Sequence, residues 1–544
     1  MGMTDWLLKP LAWWFARRPG WRDRSGRLVL RAGRHFYGLL AVVFALTGAW
    51  DLFGHALNSQ LSYASFDWLM RERPVPYRAD PNIIVVDIDE ASLAALAPRY
   101  GRWPWPREVL AEVATKLEAA SPQAVMFDIL FSDPDVANPA SEAAFDRYVA
   151  ASRKSYYPAV RLNPQNDSHS EITLAMLKFA ERDPLVPAAA TNGNRTVALV
   201  PPYYKSIYDS ARVGTNNIYP DADNVVRWYP NFEPLAGYRI PSLPYRMAQE
   251  LSWRLPAQSR SLINWPRGTA PYRTVEFAEA YRAAEKGDEA FFTQFASKIV
   301  LIGSTAPILN DIKATPVDRL HPGIFVLATA IDNTKHARFL RPLDPVWMWG
   351  IEILMLAGSA RLFSRTKQAL ALTKYFFIIP GVLLSVSLLS VSISDLLVDL
   401  SVPIAIVLGY FTIAKLFDTL YRNFLSGTGP FAANRQEKAT GQLQIACLPA
   451  TVPRERILRL LLDRGSPIKL WEPTDTGIGE LWAGQGWVLW RWLTPEAKGL
   501  TSGPAVAAPE LDLNWLDVPI IDSQADSFVL AKAIVAAAAP RAAR

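Results

Sequence analysis

Four apolar stretches decide what this chain can fold into. One runs from Phe36 to Phe53 (FYGLLAVVFALTGAWDLF), and the others are Val346–Phe363, Tyr375–Ile393 and Leu396–Ala414. A helix needs about 20 apolar residues to cross a hydrocarbon core, and each stretch approaches that length. Between the first and the second lie residues 56–343, whose composition suits a folded domain in water. The expected plan is a basic segment (1–35), one membrane helix (36–55), an extracytoplasmic domain (56–343), three membrane helices (344–420) and a small module (426–544).

The charges choose an orientation. The net charge of +6 is unevenly placed. Lys9, Arg17, Arg18, Arg22, Arg24, Arg27, Arg31 and Arg34 precede the first span, opposed there only by Asp23. Arg361, Arg365 and Lys367 close the second span, and Lys415 and Arg422 follow the fourth. Basic residues stay on the cytoplasmic side, so both termini are expected inside and residues 56–343 outside. A basic tract can also bind nucleic acid, but this one adjoins an apolar span. The lipid bilayer is therefore its expected partner, with no nucleic acid. Trp6, Trp13, Trp14 and Trp21 among these arginines suit an amphipathic helix on the membrane surface, or a solvated basic tail. The basic region is too long for a cleavable signal peptide. Asp51, Glu352 and Asp399 fall at or near membrane depth, where ionisable groups face a bundle interior, either bonded between helices or serving as a coupling site.

The outer domain reads as α/β. The apolar runs Asn82–Ile88, Ala124–Leu130, Thr196–Val200 and Lys298–Ile302 suit strands covered on both faces. Between the first two, Val109, Leu110, Val113 and Leu117 recur at helical spacing within Arg107–Ala120. That is a βαβ unit, and a mostly parallel sheet with covering helices follows. Residues 159–185 read as a polar loop holding one helix, Glu171–Glu181. Pro220–Asn224 reads as a tight turn, and Val225, Val226 and Trp228 as the strand after it. The single cysteine, Cys447, excludes an intrachain disulfide.

Carboxylates gather where these strands end. Asp87 and Asp89 close the first, and Asp128, Asp133 and Asp135 close or follow the second. Gly303-Ser304-Thr305 follows the fourth, with Asn310-Asp311 soon after. Ligands of open α/β sheets bind at this edge. Oxygen donors would suit calcium or magnesium, but no regular calcium-loop spacing is present, and such acids also cap helices and fix loops. Trp103-Pro104-Trp105-Pro106 is a stiff extended segment able to pin a loop over the sheet, and Arg107 starts the next helix. The expected ligand site is Asp89, Trp103, Arg107, Asp128 and Asp311. No metal, cofactor or catalytic residue is expected, because no nucleophile elbow, paired histidines or placed electrophile can be read.

Seven runs resemble the CHASE class-2 extracellular sensor domain, in that family's order. They are YASFDWLMR (63–71), DIDEASLAAL (87–96), GRWPWPR (101–107), FDILFSDPD (127–135), GTNNIYPDADNVVRWYP (214–230), SKIVLIGSTAPILND (297–311) and ATPVDRLHPGIFVLATAIDNTKHARFLRP (314–342). The resemblance covers roughly residues 56–420. It implies a sensor domain held between one membrane helix and three, the plan already given by the apolar stretches, and a bacterial inner membrane with the domain in the periplasm. The family's His-Ala step before the Ile-Asp-Asn run is Leu327-Ala328 here.

Residues 426–440 (SGTGPFAANRQEKAT) read as a linker. Beyond it, strands are expected at Leu443–Leu448, Ile468–Trp471, Trp487–Leu493 and Asp517–Ile521, with a helix over Val452–Arg464 and another after Asp526. Proteins resembling this sensor often carry a cyclase or kinase here, yet there is no GGDEF, EAL, HRD or DFG string and no histidine beyond residue 336. The expectation is a membrane sensor that is not an enzyme and acts on a separate cytoplasmic partner through residues 426–544. The alternative is a scaffold in an envelope complex, to which the tryptophans of that module would lend an interface. Self-association into a homo-oligomer is left open.

Overall fold

The computed structural model describes residues 35–51, 59–268, 270–309, 311–365, 369–426, 442–448, 469–471, 487–493 and 516–518. The amphipathic segment before residue 35, the linker after residue 426 and the helices expected at 452–464 and after Asp526 lie outside them. In chain order come α1 (His35–Trp50), α2 (Ser59–Glu72), β1 (Ile83–Asp87), α3 (Glu90–Tyr100), α4 (Arg107–Ala119), β2 (Ala124–Phe127), α5 (Pro139–Ala151), β3 (Ser155–Arg161), β4 (Leu199–Val200) and β5 (Val213–Thr215). Then follow β6 (Arg273–Glu276), α6 (Phe277–Lys286), β7 (Ile299–Gly303), α7 (Gly323–His336), α8 (Pro345–Arg365), α9 (Ala369–Ile393) and α10 (Ser401–Ser426).

Residues 58–344 and 383–401 form one compact unit. Its seven-stranded sheet runs in the order β6-β1-β7-β2-β3-β4, with β5 also on β3. Every pairing is parallel except β3 with β4. Side chains of a strand alternate between faces. Ile84, Val86, Val125, Phe127, Val300 and Ile302 accordingly pack beneath α4, α5 and α6. Ile83, Val85, Met126, Ile299 and Leu301 face α7 and the apolar side of α2. Each such side chain contributes about 1.5–3 kcal/mol when fully buried.

The sheet departs from expectation in three places. Ser155–Arg161, whose pattern Pro158 interrupts, is a full strand beside β2. Thr196–Val200 supplies only the two residues of β4, antiparallel to β3. The helix expected over Glu171–Glu181 is replaced by short turns at Pro164–His169 and Leu174–Met176. Tertiary pairing overrides it: Val197 N donates to Ile172 O at 2.8 Å and Leu174 N to Arg195 O at 3.0 Å.

Helix α7 is buried from Gly323 to Thr334, and two polar residues inside it organise the neighbouring loops. Asp332 is fully buried and accepts from Tyr77 Oη at 2.6 Å, Asp80 N at 2.9 Å and Tyr272 Oη at 3.0 Å. Asn333 accepts from Asn264 N at 2.7 Å and donates back to Asn264 O at 3.2 Å. Asp80, Asp332 and His336 lie close enough to share an ion, but Lys335 already places its ammonium 2.7 Å from Asp80 Oδ2. Burial pushes the Asp80 carboxyl up, yet bonds from Lys335, Asn82 N and His336 hold it down at about 2.

The second unit contains α1 and the helical residues 345–382 and 402–426. Three helices after the outer domain are long and apolar enough to cross a membrane: Pro345–Ser364, Lys374–Ile393 and Ser401–Leu420. Tyr37 of α1 stacks on Phe363 of α8 at 5.4 Å, and Tyr410 of α10 donates to Tyr37 O at 3.2 Å. Glu352 is fully buried. It lies on Gly48, where a Cβ would sit 2.0 Å from its Oε1. Asp51 is buried just past the end of α1. The third trailing span begins at Ser401 and not at Leu396. Leu396 and Leu397 instead form a short strand on Arg341 and Pro342. Asp399 precedes α10 and accepts from Ser401 N at 3.0 Å. Near the end of the chain, residues 442–448, 469–471, 487–493 and 516–518 form an antiparallel sheet of four strands, close to the expected runs.

Asp332→Ala would leave two tyrosine hydroxyls and a backbone N–H without their acceptor. It is expected to destabilise the outer domain by about 3 kcal/mol, read as a lowered unfolding midpoint of the full chain; an unchanged midpoint would refute the network's role.

Candidate functional site

At the carboxyl edge of the sheet lies a cavity of about 580 Å³. Its floor comes from the ends of β1, β2 and β7, through Ile88, Asp128 and Gly303. One wall holds Trp103 and Arg107, another Asn216, Asn217 and Ile218, and a third Asp311, Lys313 and Leu327. Asp133, Ser304 and Leu309 also line it.

Local chemistry fixes each wall. Asp87 is mostly buried and accepts from both Thr305 N (2.8 Å) and Thr305 Oγ1 (2.6 Å). Ser304 Oγ donates to Ile88 O at 2.6 Å. These bonds lock the Gly303-Ser304-Thr305 loop to the end of β1, while burial raises the Asp87 carboxyl. Gly303 permits the close packing there, because a Cβ would lie 2.5 Å from Ile324 Cδ1 and 2.9 Å from Asp128 Cβ. Asn217 is clamped to β3, accepting from Arg161 N and donating to Arg161 O, both at 2.8 Å. Asp311 lies over Gly323 at the start of α7, where a Cβ would sit 1.9 Å from its Oδ2. Lys313 pairs with Asp311 at 3.1 Å.

Four of the five expected ligand residues meet in this cavity: Trp103, Arg107, Asp128 and Asp311. Asp89 does not line it; its carboxylate caps α3, accepting from Ser92 N at 2.8 Å. The Trp103–Pro106 segment bends at residues 102–104 instead of running extended. Trp105 is buried against Phe277, which leaves Trp103 to face the cavity, 5.0 Å from Trp105 and edge-on. Asn216, Asn217 and Lys313 were not among the expected residues. The only sequence signal for the asparagines was a polar pair following a short apolar run, as in many turns.

Asp128 is the chemical centre. Its Oδ1 accepts from Asn216 Nδ2 at 3.0 Å. Burial, with the nearby Asp311 charge adding to it, raises its carboxyl to about 6 against the pull of Asn216 and Lys313. Arg107 lies 5.0 Å over the Phe131 ring.

A raised carboxyl sets the direction of a pH effect. The folded protein holds the Asp128 proton more tightly than the unfolded chain, so stability from this group is full below about 4 and is lost as pH rises to about 6. Asp128→Asn removes that loss. It is expected to stabilise the chain by on the order of 1 kcal/mol above pH 6, after allowance for solvent in the cavity, with the difference vanishing towards pH 4. Thermal unfolding across pH would show this; a variant destabilised at every pH would contradict it.

A link runs from the cavity wall towards the membrane helices. Residues 221–224 form the expected turn, with Asp221 N donating to Val225 O and Asn224 N to Asp221 O, both at 2.9 Å. Val226 N donates to Ala314 O at 2.8 Å, joining the segment after the turn to the one that carries Lys313. Next to it, the Arg227 side chain is only 2% exposed and pairs with Asp67 (2.8 Å), Asp221 (3.1 Å) and Asp223 (2.7 Å). Its guanidinium also lies 4.4 Å over Tyr63. Tyr63 and Asp67 belong to α2, and Ser65 of the same helix donates to Asp399 Oδ1 at 2.8 Å. The turn 394–400 is held to the domain by Arg341 N on Asp395 O (2.7 Å) and Leu343 N on Leu397 O (2.9 Å).

No curated protein and no solved structure matches the chain. A family model, the CHASE2 domain, matches residues 39–362, which include the sheet, the cavity and the Arg227 cluster. A mostly parallel sheet, a cavity at its carboxyl edge and apolar helices after the domain are thus the features of a chain that belongs to the CHASE2 family of extracellular sensor domains.

Proposed function

We propose that this chain is an inner-membrane receptor whose periplasmic domain binds a small ligand over Asp128 and passes the event inward. Four helices cross the membrane, α1 among them, and both termini lie in the cytoplasm. Residues 426–544 engage a separate cytoplasmic protein, which supplies the output; the chain itself is not an enzyme. The observation that carries this reading is the run of contacts from beside the cavity, through Arg227 and α2, to Asp399. The segment after the 221–224 turn bonds, through Val226, to Ala314 next to the wall residue Lys313. Arg227 ties that point to α2, and α2 reaches Asp399 just before α10. A ligand shifts such a system only if it binds one arrangement of these walls better than another.

The test uses the full chain in lipid nanodiscs. A low-molecular-weight extract of the producing cells is expected to raise the unfolding midpoint. Leu309→Trp, which fills the cavity from its rim, is expected to abolish that rise. The same extract should slow amide exchange in residues 59–72 and 394–401 of the parent chain. It should leave them unchanged in Asp67→Asn, where Arg227 no longer has its charged partner on α2. Equal midpoints with and without every extract fraction would sink the receptor reading.

A further inference from the structure

We infer that the ligand is a small zwitterion, whose protonated amine is received by Asp128 and whose separate anionic group is received by Arg107. This rests on the receptor reading above and names the class of molecule that the cavity takes.

Two charges of opposite sign, neither in an ion pair among the described residues, line one cavity. Asp128 Oδ1 is used by Asn216, and Oδ2 has no hydrogen-bond partner among the described residues. The other wall cation, Lys313, is bonded to Asp311 at 3.1 Å and acts on Asp128 through its charge alone, without a bond to it. A shielded carboxylate without a cation is costly, and a ligand ammonium supplies what the protein withholds. Arg107 presents the converse. It is half-buried and pairs with no carboxylate among the described residues; it meets the face of Phe131 and the hydroxyl of Tyr204. A guanidinium is a planar fork of donors that matches a carboxylate or phosphate through two parallel bonds. Trp103 on the same wall offers an apolar face to the body of the ligand. The volume of about 580 Å³ lies within the range of small-molecule sites.

Other classes fit less well. A bare anion would meet Asp128, Asp133 and Asp311 together. A simple amine would leave Arg107 unanswered. A calcium ion needs six or more oxygens, whereas Asp128 offers one unbonded oxygen and Asp311 is engaged by Lys313.

The experiment titrates the full chain in nanodiscs with the common α-amino acids and phosphoethanolamine. Matched controls lack one charge: the decarboxylated amines and the N-acetyl acids. Calcium chloride is included. At least one zwitterion is expected to raise the unfolding midpoint and to bind by calorimetry. Removal of either ligand charge, Asp128→Asn or Arg107→Gln should each weaken binding by about tenfold or more. Asp128→Asn is expected to fold, so its loss of binding is not a loss of structure; circular dichroism of Arg107→Gln checks the same point. Binding that survives N-acetylation or Asp128→Asn overturns the assignment, as does a response to calcium alone. If no compound of the panel binds while the cell extract still shifts the midpoint, the class is wrong and the receptor reading stands. If the extract also fails, both fall.

Discussion

Arg227 is the constraint on which the outer domain's link to its membrane-proximal parts depends. A guanidinium with a side chain 2% exposed is tolerable only when its charge and donors are met, and here three carboxylates from two separate segments meet them. Two of those, Asp221 and Asp223, come from the turn beside the cavity wall, and the third, Asp67, comes from α2. Loss of any one leaves two carboxylates on the cation, but only Asp67 connects it to α2. The cluster therefore ties the position of the turn to the position of the helix, which is what a relay between a cavity and a membrane segment needs. Its partner contact is weaker in charge but similar in logic, a serine hydroxyl of α2 on the carboxylate that precedes α10.

The sheet and the cavity have opposite requirements. Strands β1, β2 and β7 are buried along their length, and the domain's stability rests on them. Where the strands end, the chain has to turn away from the sheet, and its backbone groups are met by side chains: Asp87 on Thr305, Asp89 on Ser92, Ser304 on Ile88. These acids are structural. Asp128 differs because the fold brings a second acid near it and gives its outer oxygen no hydrogen-bond donor among the described residues. A group held against its own ionisation is a cost to stability that a bound ligand can offset, the usual relation between a site and the scaffold that carries it.

The inner strands β1, β2 and β7, the helix beginning at Arg107 and the apolar helices at 345–365 and 369–393 were legible because they rest on local pattern: continuous β-branched runs, a 3.6-residue period, and length. The misses were of another kind. Ser155–Arg161 carries a proline and a mixed pattern, yet it lies between β2 and β5 because both offer it a parallel edge. Residues 171–181 look helical, but Ile172 and Leu174 find backbone partners near residues 195–197. Leu396–Leu400 is apolar enough to continue a membrane span, and pairing with Arg341 and Pro342 takes it out of the helix. In the site, Asp128 and Asp311 could be named from the strand-end rule and Trp103 and Arg107 from the Trp-Pro-Trp-Pro segment, whereas Asp89 obeyed the strand-end rule and became a helix cap.

Sequence alone determined the alternation of apolar spans and a polar domain, the α/β character of that domain, the edge at which its acids gather and the family to which its motifs point. These follow from hydrophobicity, periodicity and turn chemistry, all of which act over a few residues. Tertiary structure decided which acid lines the cavity, which is spent on a cap, and that Arg227 joins Asp67 to a turn about 160 positions away. Those outcomes depend on the order in which strands pair, and that order is set by long-range packing that no local window contains.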